Sequence, residues 1–307
     1  MNEKQSKEHA LQQLAQMILR HAPRSGTHQT AVPSLSLMHA EELSEPLESV
    51  YKPSICVVAQ GAKMATLAGE SYRYDPSSFL IISVELPINS RIIQASPEVP
   101  FLSLKLSFDN DAILEIVKES NRPVAVSSKA GRGITVNRTS PALLDAILRL
   151  MRLLSTPEDI PVLAPLVIRE ILYRVLEGDQ GALLHPFAIV GSHAHSIAQA
   201  IRHINKQYNQ PLVIEQLAND VNLSASAFHK HFKRVTAMSP LQYQKTVRLQ
   251  EARLLMLKET LPASEAAFRV GYESPSQFSR EYARMYGRPP MLDIRELRES
   301  VDAHPSS

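Results

Sequence analysis

Residues 267–282 read AFRVGYESPSQFSREY, and the same pattern occurs 49 to 50 residues earlier as ANDVNLSASAFHKHF, residues 218–232. In each copy a short helical segment ends at a valine and is followed by Asn222 or Gly271, residue types that tolerate a left-handed backbone. A hydrophobic residue and a serine come next, and serine is a favoured N-cap for a second helix. The repeat predicts two helix-turn-helix units, and the shared turn chemistry favours them over a plain helical bundle.

The second helix of each predicted unit has an inward face marked by aromatic residues four positions apart. These pairs are Phe228 with Phe232 and Phe278 with Tyr282. Between the units, Ser239 and Pro240 suit the N-cap and first position of a helix that continues to about Lys258. At 1.5 Å per residue this helix is roughly 30 Å long. Two units held at that distance would enter successive major grooves of DNA, which lie about 34 Å apart.

Charge is distributed unevenly along the 307 residues. Residues 194–290 contain 13 Lys and Arg and 7 Asp and Glu, a net charge of +6, whereas the whole chain has a formal net charge of +2. A basic excess attracts polyanions, nucleic acid above all. The excess lies in the segment that contains the repeat, and by itself it fits DNA binding and a solvated face of mixed charge about equally well.

The region before the repeat has a different pattern. Residues 1–20 have apolar residues at helical spacing, and over 34–108 short apolar runs alternate with turn residues. These runs predict a small antiparallel barrel or sandwich, with a hairpin turn at Ala68 and Gly69. Helical spacing returns afterwards, and a strongly apolar helix over 143–154 is interpreted either as core packing alone or as a cover for the barrel that also supplies a dimer seam.

Residues 194–298 resemble the DNA-binding domain of the AraC/XylS family of bacterial transcription regulators. The resemblance rests on residues 267–282 and on Gly287-Arg288-Pro289-Pro290, which fits the closing motif of that domain. The N-terminal part resembles the effector-type domain of one AraC subfamily; the residues that carry this likeness are 51–54, 60–63, 72–75 and 96–98.

The resemblance implies an α+β protein of two domains. An N-terminal cupin-like β-barrel with flanking helices is followed by a C-terminal all-α domain, in which a linker helix joins two helix-turn-helix units. The implied organisation is an effector-binding and dimerisation domain over 1–180, a linker over 181–193, a DNA-binding domain over 194–298 and a tail over 299–307.

The recognition helices are predicted over 224–235 and 275–286, and their outward faces follow from removing the core positions. The residues left are Ser226, His229, Lys230 and Lys233 in the first helix and Ser276, Gln277, Ser279 and Arg280 in the second. The family resemblance implies that the N-terminal half of each helix contacts bases, at Ser226, His229, Lys230, Ser276, Gln277 and Arg280.

The chemistry of these side chains indicates which part of DNA each would contact. Arg280 is suited to guanine and Gln277 to adenine, because each side chain can form two hydrogen bonds with that base. His229 would bind DNA more tightly when its ring is protonated. The phosphate contacts are assigned to Lys233, Arg234 and Arg284.

No metal or cofactor site is predicted. Cupins that bind metal use clustered histidines, but the sequence has no histidine between His39 and His185. His193 and His195 are interpreted as part of a solvated linker. Cys56, the single cysteine, is either a small core residue or a thiol sensor, which would need partial exposure and a lowered pKa. The weak candidates for effector contacts are Cys56, Tyr72 and Tyr74.

Together these features predict a cytoplasmic transcription regulator without catalytic activity. Its expected partners are double-stranded promoter DNA, RNA polymerase, a small-molecule effector and a second copy bound through the N-terminal domain. The first 30 residues lack the apolar core of a signal peptide, and no segment reaches the roughly 18 apolar residues of a membrane span. The alternatives are a cupin-type metal enzyme, a DNA-repair protein with a reactive Cys56, and an interaction module that does not bind DNA.

Overall fold

The structure is a computed structural model, and it describes residues 3–120, 131–178, 184–189 and 191–302. The strands are β1 (Gly26–Gln29), β2 (Leu35–Ala40), β3 (Leu47–Tyr51), β4 (Ser54–Gln60), β5 (Ala62–Leu67), β6 (Glu70–Tyr74), β7 (Ser78–Ile82), β8 (Leu86–Gln94), β9 (Phe101–Ser107) and β10 (Ile134–Arg138). The helices among them or directly after them are α1 (Glu3–His21), α2 (Asn110–Glu119), α3 (Pro141–Arg152) and α4 (Ile160–Glu177). The later helices are α5 (His185–Ala188), α6 (His193–Lys206), α7 (Ile214–Asp220), α8 (Ala225–Thr236), α9 (Pro240–Lys258), α10 (Ala263–Arg269), α11 (Pro275–Tyr286) and α12 (Pro290–Asp302).

The strands form two antiparallel sheets that pack against each other. The order of strands is β1-β2-β9-β4-β7-β10 in the larger sheet and β3-β8-β5-β6 in the smaller one. The predicted hairpin is confirmed: β5 and β6 are joined by Ala68 and Gly69, whose φ angles are +49° and +86°. Two consecutive left-handed residues are typical of a tight type I′ turn. The N-terminal part is therefore the antiparallel β-domain with flanking helices that the sequence predicts.

The larger sheet is buried on both faces. Alternate residues of its strands point to opposite sides, and each set belongs to a hydrophobic cluster. Along β4, Ile55 and Val57 belong to the hydrophobic cluster that includes α1 and α3. Cys56 and Val58 belong to a second cluster, which includes residues of the smaller sheet. A strand buried on both faces has a continuous apolar sequence rather than an alternating one, as β4 does.

Helix α3 contributes its apolar residues to the core of the β-domain. Its buried residues include Leu144, Ile147 and Met151, and the helix packs between α1 and α4. The interpretation of this segment as core packing is confirmed. Within the single chain, α1 and α4 cover the apolar residues of α3, and a dimer seam on this helix stays a prediction.

The last third of the chain contains the two predicted helix-turn-helix units. Helices α7 and α8 form the first unit, and α10 and α11 form the second. Between them, α9 begins after Ser239, whose hydroxyl accepts a hydrogen bond from the backbone N–H of Gln242 while the Gln242 side chain accepts one from the backbone N–H of Ser239. This reciprocal capping box stabilises the first turn of α9, which spans 19 residues as predicted.

The helical part packs directly against the β-domain. Val84 and Leu86 lie in the same buried cluster as Val235, at the end of α8. The hydroxyl of Tyr243, a fully buried residue of α9, donates a hydrogen bond of 2.9 Å to the backbone oxygen of Glu85. The second core cluster is therefore continuous across the contact between the β-domain and the first helix-turn-helix unit.

Part of the predicted linker 181–193 lies outside the described residues, as do residues 303–307 of the predicted tail. The interpretation of His193 and His195 as solvated linker residues is wrong, because both lie in the first turn of α6. That turn is capped by Ser192, whose hydroxyl accepts from the backbone N–H of His195 at 3.0 Å, and Ala194 is buried in the core. The boundaries at residues 180, 193 and 298 stay predictions. Within the described ranges, no helix is both long and apolar enough to cross a membrane.

Candidate nucleic-acid interface

The two turns have the same backbone geometry. Asn222 and Gly271 have φ angles of +57° and +89°, so both adopt the left-handed conformation that the repeat predicts. The next residue of each turn donates its N–H back to an alanine carbonyl, from Leu223 to Ala218 and from Tyr272 to Ala267, at 2.9 Å in both cases. Ser224 and Ser274 then cap the second helices, each accepting from the backbone N–H three residues later. The sequence repeat is therefore a repeat of structure.

Gly271 is constrained more strongly than Asn222. A Cβ added at Gly271 would lie 2.1 Å from the backbone oxygen of Asn209, in the loop that follows α6. Such a contact is far shorter than atoms tolerate, so only glycine fits at this position. The second turn is thus packed against the first unit's flanking loop, whereas Asn222 needs only a tolerance for positive φ.

Aromatic residues hold each recognition helix against its unit. The ring centroids are 5.5 Å apart in both i,i+4 pairs, and all four side chains are fully buried. The pairs are Phe228 with Phe232 in α8 and Phe278 with Tyr282 in α11. Ala218 and Ala267 are also fully buried, which allows the first helix of each unit to lie close to the second. Burial of one face leaves the opposite face of each recognition helix open to DNA.

The outward faces contain the residues that the sequence assigns to DNA. Ser226, His229, Lys230 and Lys233 are exposed on α8, and Ser276, Gln277, Arg280 and Arg284 are exposed on α11. Arg234 and Ser279 are half-buried. The structure therefore brings the candidates of each helix onto one accessible face, although contacts with DNA stay a prediction for every one of them.

A carboxylate organises the surroundings of Gln277. Glu281 Oε1 accepts from Lys245 Nζ at 2.9 Å and from Gln277 Nε2 at 3.4 Å, and Glu281 Oε2 accepts from the hydroxyl of Tyr272 at 2.8 Å. Burial alone would raise the pKa of Glu281, but these three hydrogen bonds outweigh it and lower the pKa. The ionised carboxylate keeps Lys245, an exposed cation of α9, beside the second recognition helix.

Arg248 is a positioning residue that the sequence reasoning missed. From α9 its guanidinium donates hydrogen bonds to the backbone oxygens of Tyr208 (2.6 Å), Gln210 (2.9 Å) and Gly271 (2.9 Å). These bonds join the loop after α6 to the turn of the second unit. Charged groups form stronger hydrogen bonds than neutral ones, so this clamp fixes the position of α11 relative to α9. Nothing in the local sequence around Arg248 indicates its distant partners.

The C-terminal end of α8 contacts the β-domain. Arg132 Nη1 donates to the backbone oxygens of Lys233 and Arg234, both at 2.9 Å, while Arg132 Nη2 forms an ion pair with Glu70. The N–H of Gly133 donates to the backbone oxygen of Val235 at 3.0 Å. The last carbonyls of a helix carry partial negative charge and lack helical donors, so a cation there is favourable. The β-domain is thus attached to the backbone of the first recognition helix.

The effector candidates separate into two places. Cys56 and Tyr74 line a cavity of about 210 Å³ between the two sheets. Tyr72 lies elsewhere, and its hydroxyl donates to Glu70 Oε2 at 2.8 Å, beside Arg132. Burial raises the pKa of the Cys56 thiol, whereas a thiol sensor requires a lowered pKa. This favours the interpretation of Cys56 as a core residue. In the part of the chain that the structure describes, no three His, Cys, Asp or Glu side chains form a group that would hold a metal ion.

Comparison with known families agrees with this geometry. Residues 31–183 match the family model described as the AraC-type transcriptional regulator N-terminus, and residues 217–293 match a helix-turn-helix domain. The chain belongs to the AraC/XylS family of DNA-binding transcriptional regulators. The two matched regions correspond to the β-domain and to the two helix-turn-helix units.

Several curated relatives are transcriptional regulators. The lactose operon transcription activator of Staphylococcus xylosus is 29% identical over 90 residues, which cover 29% of this chain and 32% of that protein. The Msm operon regulatory protein of Streptococcus mutans is 22% identical over 213 residues, 69% of this chain and 73% of that protein. The RCS-specific activator RclR of Escherichia coli is 30% identical over 119 residues, 39% of this chain and 37% of that protein. Apart from the Streptococcus protein, the match spans about a third of each relative's length.

The two-domain architecture also occurs in solved structures. ToxT from Vibrio cholerae with a bound unsaturated fatty acid has a TM-score of 0.54 and 10% identity, and the match covers 85% of this chain and 94% of that one. The apo form of a ToxT variant with one substituted residue has a TM-score of 0.53 at the same identity, and the match covers 85% of this chain and 97% of that one. At this identity the likeness concerns the fold alone.

Proposed function

We propose that this regulator binds promoter DNA with α8 and α11 in successive major grooves on one face of the duplex. The observation that carries the proposal is the pair of helix-turn-helix units with matching turns, held apart by one continuous helix. Helix α9 has 19 residues and is therefore about 28 Å long, close to the roughly 34 Å between successive major grooves.

The exposed side chains support a division between base and phosphate contacts. Gln277 and Arg280 lie on the N-terminal half of α11, which is the part of a recognition helix that approaches base edges. Each can form two hydrogen bonds with a base, Gln277 with adenine and Arg280 with guanine. The further base candidates are Ser226, His229, Lys230 and Ser276, with Ser279 beside them, and the phosphate candidates are Lys233, Arg234 and Arg284.

An effector bound by the β-domain would act through the contact between that domain and the DNA-binding domain. This contact includes backbone carbonyls of α8, so a change in its geometry would move a recognition helix or release it. A ligand shifts such an equilibrium only by its difference in affinity for the two arrangements. Contacts with RNA polymerase, pairing of two copies through the N-terminal domain, a cytoplasmic location and the absence of catalysis belong to the same proposal.

Fluorescence anisotropy with DNA from upstream of the protein's own gene tests the interface. At about 50 mM and 200 mM salt, a protein with several phosphate contacts loses affinity by orders of magnitude as salt rises. Arg280→Ala should weaken binding to the specific fragment and leave binding to random DNA nearly unchanged. The matched control is Arg152→Ala, which removes an exposed arginine from α3. Equal affinity of Arg280→Ala and wild type for the specific fragment would show that α11 does not read the site.

Elemental analysis and mass spectrometry after incubation with alkylated DNA test the enzymatic alternatives. Stoichiometric bound metal would favour a cupin-type enzyme. Transfer of an alkyl group to Cys56 would favour a repair protein, although the burial of this thiol disfavours the reactive thiolate.

A further inference from the structure

The cavity between the two sheets of the β-domain combines basic and apolar lining. Its volume is about 210 Å³, below the roughly 300–1,000 Å³ of sites that hold drug-sized molecules. The lining includes Tyr51 of β3, Cys56 of β4, Lys63 of β5, Tyr74 of β6, and Ser103 and Lys105 of β9. Strands of both sheets therefore contribute to one small site.

The two lysines of this cavity have no anionic partner in the described part of the chain. Lys63 Nζ lies 3.5 Å from the sulfur of Met38, and Lys105 Nζ lies 5.8 Å from the centroid of the Tyr51 ring. Neither forms an ion pair with a described residue, whereas Arg149, Arg169, Arg174 and Arg253 of the same chain all do. Both lysines line the same cavity as Cys56, and their positive charges oppose the rise that burial causes in the pKa of the Cys56 thiol.

Positive charge without an anionic partner in the lining of a cavity favours an anion. Two unpaired ammonium groups repel each other, and a carboxylate between them would replace that repulsion with two attractions. Lys63 is half-buried and Lys105 is exposed, so neither ammonium group is sealed from solvent. The remaining lining offers apolar surface from Met38 and the ring of Tyr74, and hydroxyl groups such as that of Tyr51, which is 2.9 Å from the Ser90 hydroxyl.

We propose that this cavity binds a small organic monocarboxylate, with its carboxylate between Lys63 and Lys105 and its short apolar body between the sheets. The inference rests on the proposed function only in taking this anion to be the effector; binding itself is a separate claim.

Strand β3 gives the site a route to the DNA-binding domain. Tyr51 and Ser49 line the cavity, while Glu48, next to Ser49 on the strand, lies in a cleft with Arg253 of α9 and Tyr286 of α11. Alternate residues of a strand point to opposite faces, so a displacement of β3 by a ligand would move both faces together. Occupancy of the cavity is therefore expected to change the affinity for DNA.

Thermal unfolding of the full chain without DNA tests the binding claim. The probes are acetate, hexanoate and benzoate, each compared with its uncharged amide at constant ionic strength. At a hundredfold excess over Kd, a bound carboxylate should raise the Tm by about 5 °C, and the amide should not. Lys63→Met and Lys105→Met should abolish the rise because they remove the charge and keep a long side chain.

Two further variants separate a lost site from a damaged fold. Lys63→Arg keeps the charge and should retain a carboxylate-dependent rise, and Lys118→Met removes an exposed lysine from α2 and should behave as wild type. The proposal is overturned if none of the three carboxylates gives a saturable rise, if the amides act equally, or if the Lys63→Met/Lys105→Met double variant responds as wild type does. A chain that binds a carboxylate through these lysines but binds no DNA would retain the site and lose the proposed function.

Discussion

Replacing Gly271 by alanine is expected to destabilise the second helix-turn-helix unit by about 3 kcal/mol. The φ of +89° at this position lies in the left-handed region, where a residue with a Cβ costs about 1–2 kcal/mol. The new Cβ would also lie 2.1 Å from the backbone oxygen of Asn209. That backbone is held by Arg248 through Tyr208 and Gln210, so it cannot withdraw freely, and overpacking of this kind costs about 1–3 kcal/mol.

Gly287→Ala is the matched control for this substitution. Gly287 ends α11 with a φ of +77°, but an added Cβ would meet no heavy atom within 4 Å. It should therefore lose only the conformational contribution of about 1–2 kcal/mol. Urea unfolding followed by circular dichroism compares the two variants with wild type, and anisotropy should show weakened DNA binding for Gly271→Ala. If the free energy of unfolding falls no further in Gly271→Ala than in Gly287→Ala, the close approach to Asn209 adds nothing to the cost of the substitution, and the account of this turn is wrong.

Four other predictions concern the interface and its support. Arg280→Ala should reduce specific affinity by about 1–3 kcal/mol and relax the preference at one base pair, as measured by anisotropy on single-base variants of the operator. Lys233→Ala should weaken binding to all sequences alike and reduce the slope of log K against log salt by about 1; an unchanged slope would contradict its assignment to a phosphate. Arg132→Gln should lower the free energy of unfolding by about 1 kcal/mol, because it loses hydrogen bonds from a partly exposed cation to the end of α8; a double-mutant cycle with Glu70→Gln measures how much of this depends on the ion pair. Burial, followed by the positive charges of His193, Arg234 and Lys230, lowers the pKa of His231 in the folded protein. The unfolded chain therefore takes up a proton first as pH falls below the usual histidine pKa of about 6.5, and the folded state loses stability there. His231→Gln should lose less stability over that interval, and identical pH profiles of the two proteins would refute this.

The features of the interface that sequence reasoning predicts correctly are local ones. Ser224, Ser239 and Ser274 cap helices as expected, because an N-cap depends on a hydrogen bond to a backbone group only three residues away. The left-handed residues Asn222 and Gly271 and the hairpin turn at Ala68 follow from steric preferences of single residues. The repeat strengthens the prediction of two helix-turn-helix units, because the same kinds of turn and cap residues occur twice, 49 to 50 residues apart.

The features that sequence reasoning misses depend on partners far along the chain. Arg132 and the end of α8 are about 100 residues apart in sequence, and Arg248 contacts loops 23 to 40 residues away. The helix over 143–154 shows the same problem, since its apolar face fits a core and a dimer seam equally well in the sequence, and only the positions of α1 and α4 show what covers it within the chain. His193 and His195 resemble linker residues in the sequence because Gly191 and its neighbours are typical of one, but the helix cap at Ser192 starts α6 immediately after it.

By itself, the sequence determined the two helix-turn-helix units and the outward residues of their recognition helices, because helix periods, caps and turns are set by neighbours within a few positions. Only the tertiary structure decided why position 271 must be glycine, how the β-domain holds the end of α8, and that Lys63 and Lys105 line one cavity. Those features arise from strand order and from packing between distant segments, and the physical preferences of single residues do not specify which distant segments meet.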